Sequence, residues 1–298
     1  MLFSTETYSI MRKLGIEQGI KTLMDAGFPA LDMSFFLSLS EFYNEPNPVE
    51  LAKKLRAEAD ARGVIFNQAH APFNPKDTAL ENCSTHFPRV FEFASILGVK
   101  NIVVHPIETQ SYREDPQKAL EINMKYYRSI APLARENGLH IAIENMWSRH
   151  PRQKNLIVDS TCADPAELCL YYDTLNDPDV FTICLDLGHV ALCGREPKDA
   201  IHTIGSKRLG AIHAHDVDYL SDVHTLPGLS KLDYDAIARA LAEIDYQGDF
   251  TLESDTFLGG FPDEVLPDAA RLMAATARHW AQKVEAYKKE LLEKEQPI

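Results

Sequence analysis

The sequence predicts an α/β fold, a single (β/α)8 TIM barrel, and three observations carry that reading. Eight short apolar stretches of strand character recur along the 298 residues. Segments with helical spacing alternate with them, and no Gly/Ser linker or low-complexity tract interrupts the alternation. The helical segments are punctuated by stop glycines (Gly27, Gly63, Gly98, Gly138) or by opening Asp-Pro pairs (115–116 and 164–165). Alternation of this kind implies a parallel sheet with crossover helices, and eight repeats imply closure. An open doubly wound sheet is the competing architecture, but the G-x-G-x-x-G turn it usually brings is absent. One domain is expected over 1–298, with a helical C-terminal extension from about 262.

Taken in order, LFSTETY (2–8) is the first strand, followed by a helix over 12–26 through Leu14, Ile20, Leu23 and Met24. The second strand is 28–36. A polar, proline-bearing loop then leads to a helix over 49–62. The third strand, 64–72, carries His70; a helix over 80–97 follows, with Pro88 as a kink or break. The fourth strand, 99–106, carries His105 and precedes a long helix, 115–137, blemished by Pro132. The fifth strand, LHIAIENM (139–146), precedes a helix over 164–175. The sixth strand is 181–190, then a helix over 197–205; the seventh is 208–216, then a helix over 234–244; the eighth is 249–254. The charged end of the tail helix is expected to fray.

Apolar residues make up 45% and charged residues 25%, the balance of a soluble globular protein. No apolar run is long enough to span a bilayer, and the N-terminus lacks the pattern of a secretory signal, so a cytoplasmic protein without a membrane partner is expected. Five cysteines (Cys83, Cys162, Cys169, Cys184, Cys193) with no C-x-x-C pair read as reduced thiols, Cys184 packing on the inward face of a strand. Thirty basic against 44 acidic side chains give a formal charge of −14. Such a surface repels phosphate backbones, so no nucleic-acid partner is expected, though a small anionic substrate needs only one or two local cations.

The chemistry sits at strand ends. In the fifth strand Ile141 and Ile143 share one face, while Ala142 and then Glu144 share the other. FTICLDLGH repeats the design with Asp186 after Cys184, LGAIHAHD with His213 after Ala211, and DFTLES with Glu253 after Thr251. An acid at the exit of an apolar strand is costly to bury alone, so Glu144, Asp186, His213 and Glu253 point to a shared divalent metal. Carboxylates with one imidazole suit Mn(II) best, with Mg(II) or Co(II) as substitutes. His215 points the same way as His213, and spacing alone admits either; depth along the strand favours His213. His70, His105 and His189 fall on the same rim as candidate substrate contacts. Each alone could be a hydrogen-bonded structural residue, but strand C-terminal ends converge on the one barrel face that carries active sites. A metal that chelates a carbonyl and a neighbouring hydroxyl acidifies the C–H between them. Glu144 and Glu253 as an acid/base pair would then epimerise or isomerise a sugar through an enediolate.

The ordered set IAIEN, LDLGH, IHAHD, DVHTLPG (222–228) and TLES resembles the sugar isomerase/epimerase superfamily with xylose-isomerase-like barrels, over residues 1 to about 260. The resemblance implies Glu144, Asp186, His213 and Glu253 as metal ligands, Glu144 and Glu253 as acid and base, and His189 as a substrate contact. Ketose 3-epimerases often carry a further glutamate six residues after the first; this sequence has His150 there. Type IV apurinic endonucleases, of the same superfamily, hold three zinc ions. Their ligand types occur here in order as His70, His105, Glu144, Asp186, His189, His213, Asp222, His224 and Glu253. A trinuclear Zn(II) phosphodiesterase is therefore an alternative, as are a keto-sugar dehydratase or lyase on the same site and a non-catalytic sugar-binding subunit. The expected partner is a small-molecule sugar, and the tail helix could pair copies into a dimer or tetramer. Two loops are expected at the rim. In 145–163, Trp147 would cover the apolar face of a sugar and Arg149 or Arg152 would hold a hydroxyl or phosphate. In 217–231, His224 would contact substrate or, with Asp222, bind a second metal. Asp32 and Glu6 are further candidates for the pocket lining.

Overall fold

Eight parallel strands close on themselves in the computed structural model, which describes residues 1–73, 80–108, 115–153 and 155–295. In chain order the strands are β1 (Phe3–Thr5), β2 (Ala30–Ser34), β3 (Ile65–His70), β4 (Asn101–Val104), β5 (His140–Glu144), β6 (Trp147–Arg149), β7 (Ile157–Asp159), β8 (Phe181–Asp186), β9 (Leu209–His213) and β10 (Phe250–Leu252). Six of them pair in the order β2-β3-β4-β5-β8-β9, and β1 pairs with β10. Two bridges, Glu6 with Asp32 and Ala214 with Leu252, join the two sheets into one ring. The β6–β7 hairpin is antiparallel and lies outside the barrel wall.

The helices are α1 (Tyr8–Leu14), α2 (Ile16–Asp25), α3 (Ser40–Asn44), α4 (Pro48–Arg62), α5 (Leu80–Leu97), α6 (Pro116–Asn137), α7 (Pro165–Leu175), α8 (Leu187–Leu192), α9 (Pro197–Ile204), α10 (Tyr234–Glu243), α11 (Asp255–Gly259) and α12 (Leu266–Glu295). Gly63 and Gly138 end α4 and α6 in the left-handed region, where a side chain would be strained. Pro88 and Pro132 both lie within continuous helices.

Several elements differ from expectation. The first helix is two, broken at Gly15, whose φ of 80° no helix accommodates. The sixth barrel strand stops at Asp186, because its side chain accepts from His189 N at 2.6 Å and so caps α8. The loop expected at 145–163 carries the β6–β7 hairpin, and the polar loop after β2 carries α3. The tail helix runs on to Glu295; residues 296–298, and the side chain of Cys83, lie outside the described residues.

The main core lies between sheet and helices, while the barrel interior is filled by small side chains, Val103, Ala142, Cys184 and Ala211. Cys184 packs there as expected, its thiol pushed by burial up to about 12. The pairing of β2 with β3 steps over Asn67, from Leu31 opposite Phe66 to Asp32 opposite Gln68. This bulge turns two consecutive side chains inward. Asn67 Nδ2 donates to Ser4 Oγ and Asp249 Oδ2, and Gln68 Nε2 lies 2.7 Å from Asp32 Oδ2 and 2.8 Å from His213 Nε2.

Candidate metal centre

Above the small residues of the barrel interior, strand ends bring acids and imidazoles together. From β9, His213 Nδ1 lies 2.8 Å from Glu144 Oε1 and 3.4 Å from Glu253 Oε2. From β3, His70 Nε2 lies 3.5 Å from Glu144 Oε2 and 3.1 Å from Nε2 of His105, which is itself 2.7 Å from that same oxygen. Glu144 Oε2 is buried yet accepts no well-directed hydrogen bond.

The way the histidines are held explains this crowding. His70 Nδ1 donates to Ala71 O at 2.8 Å, His189 Nδ1 to Asn145 O at 2.9 Å, and His224 Nδ1 to Glu253 O at 2.9 Å. In each neutral ring this leaves Nε2 without a hydrogen. Two of those nitrogens face acids: His70 faces Glu144, and His224 Nε2 is 3.0 Å from Asp222 Oδ1, which is buried without a hydrogen-bond partner. Lone pair against carboxylate is unfavourable unless a cation sits between them. A ring N–H fixed from behind is the usual arrangement of a metal-ligating histidine. The donor set therefore fits a divalent metal.

The donors fall into overlapping groups whose ligand atoms lie within 4.8 Å of one another: His70, Glu144, His213 and Glu253; Glu144, Asp186 and His189; Asp186, His215 and Glu253; and His189, His215, Asp222 and His224. Glu144, Asp186, His213 and Glu253 are all present, but they spread over adjoining groups that Glu144 and Glu253 link. His215 enters as well as His213: its Nε2 lies 3.0 Å from both oxygens of Asp186, and its ring stacks on His224 at 3.9 Å.

Electrostatics separates the two glutamates. Burial works to raise the Glu144 carboxyl, but His213 and His105 outweigh it and hold it well below the usual range. Burial, with Glu144 and Asp186 nearby, drives Glu253 well above that range despite His213 and His224. Burial pushes His105 down to about 4, against the pull of Glu144. His189 and His213 move up: burial opposes charge on both, but Asp186 and Asp222 at the one, and Cys184 with the two glutamates at the other, outweigh it.

The family model of the xylose isomerase-like TIM barrel matches residues 20–279. The chain belongs to that family. An uncharacterized protein of Methanocaldococcus jannaschii is 24% identical over 221 residues, 71% of each chain. The uncharacterized protein y4fM of Sinorhizobium fredii is 25% identical over 272 residues, 80% of this chain and 81% of its own. Among solved structures, a D-tagatose 3-epimerase-like protein superposes with a TM-score of 0.73 at 17% identity, covering 98% of this chain and 100% of its own. L-ribulose 3-epimerase gives 0.71 at 15%, covering 99% and 98%. The IolI protein with a bound zinc atom gives 0.71 at 19%, covering 96% and 99%. At these identities the likeness to the solved structures is one of fold.

In this xylose isomerase-like barrel the donors open into a cavity of about 390 Å³. His70, His105, Glu144, His189, Asp222, His224 and Glu253 line it, as do Trp147 and Arg149 from β6. Asp186 and His213 are fully buried and are not among the lining residues. The rim also holds Phe36, Phe73, Glu108 and Met146, none of which sequence reasoning singled out. Phe73 sits on a loop beyond β3, where periodicity carries no signal, and Phe36 sits at the end of the expected strand 28–36, two residues beyond β2. The Arg149 guanidinium lies 5.2 Å from the centre of the Trp147 ring. Arg152 is exposed and does not line the cavity, and His150 accepts at Nδ1 from the amides of Arg152 and Gln153, shaping a turn. Nor do the other two candidates line it. Glu6 accepts from Tyr8 N and Ser34 Oγ at the start of α1, and Asp32 lies behind His213.

Among the described residues no helix is long and apolar enough to cross a membrane.

Proposed function

We propose that the chain is a metal-dependent sugar isomerase or epimerase that moves a proton beside a carbonyl through an enediolate, with Glu144 and Glu253 as base and acid. One observation carries the reading: the two glutamates meet at His213 Nδ1, 2.8 and 3.4 Å away, with acidities driven in opposite directions. Paired carboxyls with separated pKa values are the mark of divided acid and base roles. Glu144 as base takes the proton from the carbon next to the carbonyl, and Glu253 as acid returns one. Return to the same carbon from the other face epimerises; return to the neighbouring carbon interconverts aldose and ketose. A divalent metal held by Glu144, Asp186, His213 and Glu253, with Mn(II) favoured, would polarise the carbonyl and offset the enediolate charge. His70 and His105 steady Glu144, and His189, Trp147 and Arg149 contact the sugar. The sugar epimerase neighbours of the fold support the reaction class, and the apolar wall around Trp147 supports a sugar ring as the occupant.

Two measurements test it. Ketoses and keto-glycosides are screened for proton exchange with deuterated solvent, and Glu253→Gln is compared with the native chain. The variant should keep its fold by circular dichroism and lose about 10²- to 10⁴-fold in exchange. Equal exchange would remove the two-glutamate mechanism.

A second reading, a multinuclear Zn(II) phosphodiesterase, draws on the group His189, His215, Asp222 and His224. Elemental analysis of protein purified without chelator separates the two. One Mn, Mg or Co per chain favours the sugar enzyme. Two or three zinc ions together with cleavage of an abasic-site duplex favour the phosphodiesterase, although a charge of −14 repels such a substrate.

A further inference from the structure

The histidines of the site are held from behind in two ways. His70, His189 and His224 each give Nδ1–H to a backbone carbonyl and turn Nε2 to the cavity side. His213 is reversed. Its Nδ1 faces Glu144 and Glu253, and its Nε2 points away from them, toward a carboxylate and an amide instead of a carbonyl. Asp32 Oδ2 lies 3.4 Å from His213 Nε2, Gln68 Nε2 lies 2.8 Å from it, and Gln68 Nε2 is also 2.7 Å from that Asp32 oxygen.

Asp32 itself has no evident structural reason to be there. It is fully buried on β2, its Oδ1 has no hydrogen-bond partner, and His213 is the one ion-pair partner it has among the described residues. A charge buried with so little compensation is costly, and such groups persist where they orient something else.

We propose that Asp32 is the positioning residue of His213, the acceptor that fixes the ring for metal capture through Nδ1. The inference rests on His213 being a metal ligand, as read above. Capture through Nδ1 requires a lone pair there, so the hydrogen on Nδ1 must leave. A neutral ring then carries its single hydrogen on Nε2, by transfer through solvent with no net proton change. A doubly protonated ring simply releases the Nδ1 proton. Either way Nε2–H needs an acceptor. Gln68 cannot be it while its amide nitrogen faces Nε2; Asp32 Oδ2 can, with Gln68 donating to the same oxygen and holding it in place. A carboxylate behind a ligating imidazole fixes its tautomer and raises its basicity.

The test uses the full chain, stripped with chelator and reloaded with Zn(II), and reads the ring nitrogens of His213 in long-range ¹⁵N–¹H spectra, assigned with His213→Asn. In the native chain the loaded ring should carry one hydrogen, on Nε2, with the downfield proton shift of an N–H bound to a carboxylate. Asp32→Asn should weaken Zn(II) at this site about 10- to 100-fold. Gln68→Leu should weaken it far less, because Asp32 remains. If Asp32→Asn binds Zn(II) as the native chain does, with the Nε2–H tautomer intact, Asp32 is not the positioning residue and the metal reading survives. If the loaded native ring still carries hydrogen on Nδ1, His213 is not a ligand through that atom and the metal reading falls with the proposal. Should Asp32→Asn fail to fold, the native spectrum decides: a loaded Nε2–H without the carboxylate shift overturns the assignment.

Discussion

Glu144 and Glu253 are the same side chain at the ends of two barrel strands, and their surroundings give them opposite acid strengths. At Glu144 the nearby His213 and His105 outweigh burial, whereas at Glu253 burial, with Glu144 and Asp186, outweighs His213 and His224. Glu144→Gln should abolish both turnover and tight metal binding, since Glu144, like Glu253, belongs to two of the donor groups; dialysis against metal and elemental analysis check this. A quieter residue is Gly188, at the start of α8. A Cβ there would overlap the ring of His215. Gly188→Ala should therefore cost about 1–3 kcal/mol in urea denaturation and displace His215 from Asp186. The strand-end acids and histidines were legible in the sequence because alternation fixes which side chains face inward. Asn67 was not. It shares the interior with its neighbour Gln68, which alternation places on the face of His70, only because the β3 bulge breaks that alternation.

At the scale of elements, all eight barrel strands and the longer helices could be read from apolar period and glycine stops. What could not be read were short elements made by single side-chain contacts. Asp186 turns LGHVAL into a helix by capping it, and Glu41 Oε2 accepts from Ile16 N at the start of α2. The loop 217–231 follows the same rule. Asp216 accepts from Gly228 N, Ser230 N and Leu232 N, each at 2.9 Å, and so pins the segment that carries Asp222 and His224. Asp216 thus supports the site without entering it. Asp216→Ala should cost roughly 1–3 kcal/mol. It should also speed hydrogen exchange at those three amides, and a loop unchanged in exchange would show that its fold is set elsewhere.

At the scale of the whole molecule, donors from β3, β5, β8, β9 and β10 meet at one mouth of the ring, so a metal held there would be coupled to the fold. A metal present at 100 times its Kd should stabilise the native chain by about 2.7 kcal/mol, provided the unfolded chain does not bind it. Thermal denaturation with and without chelator checks this; identical midpoints would mean that the cluster holds no metal tightly.

The ring also constrains how the chain is made. β1 leaves the ribosome ahead of the other barrel strands, but its register partners run from Phe250 to Leu252. At 5–20 residues per second, roughly 12–50 s pass before those partners have been synthesised. Throughout that time the growing sheet has two unpaired edges, each able to pair with another nascent chain.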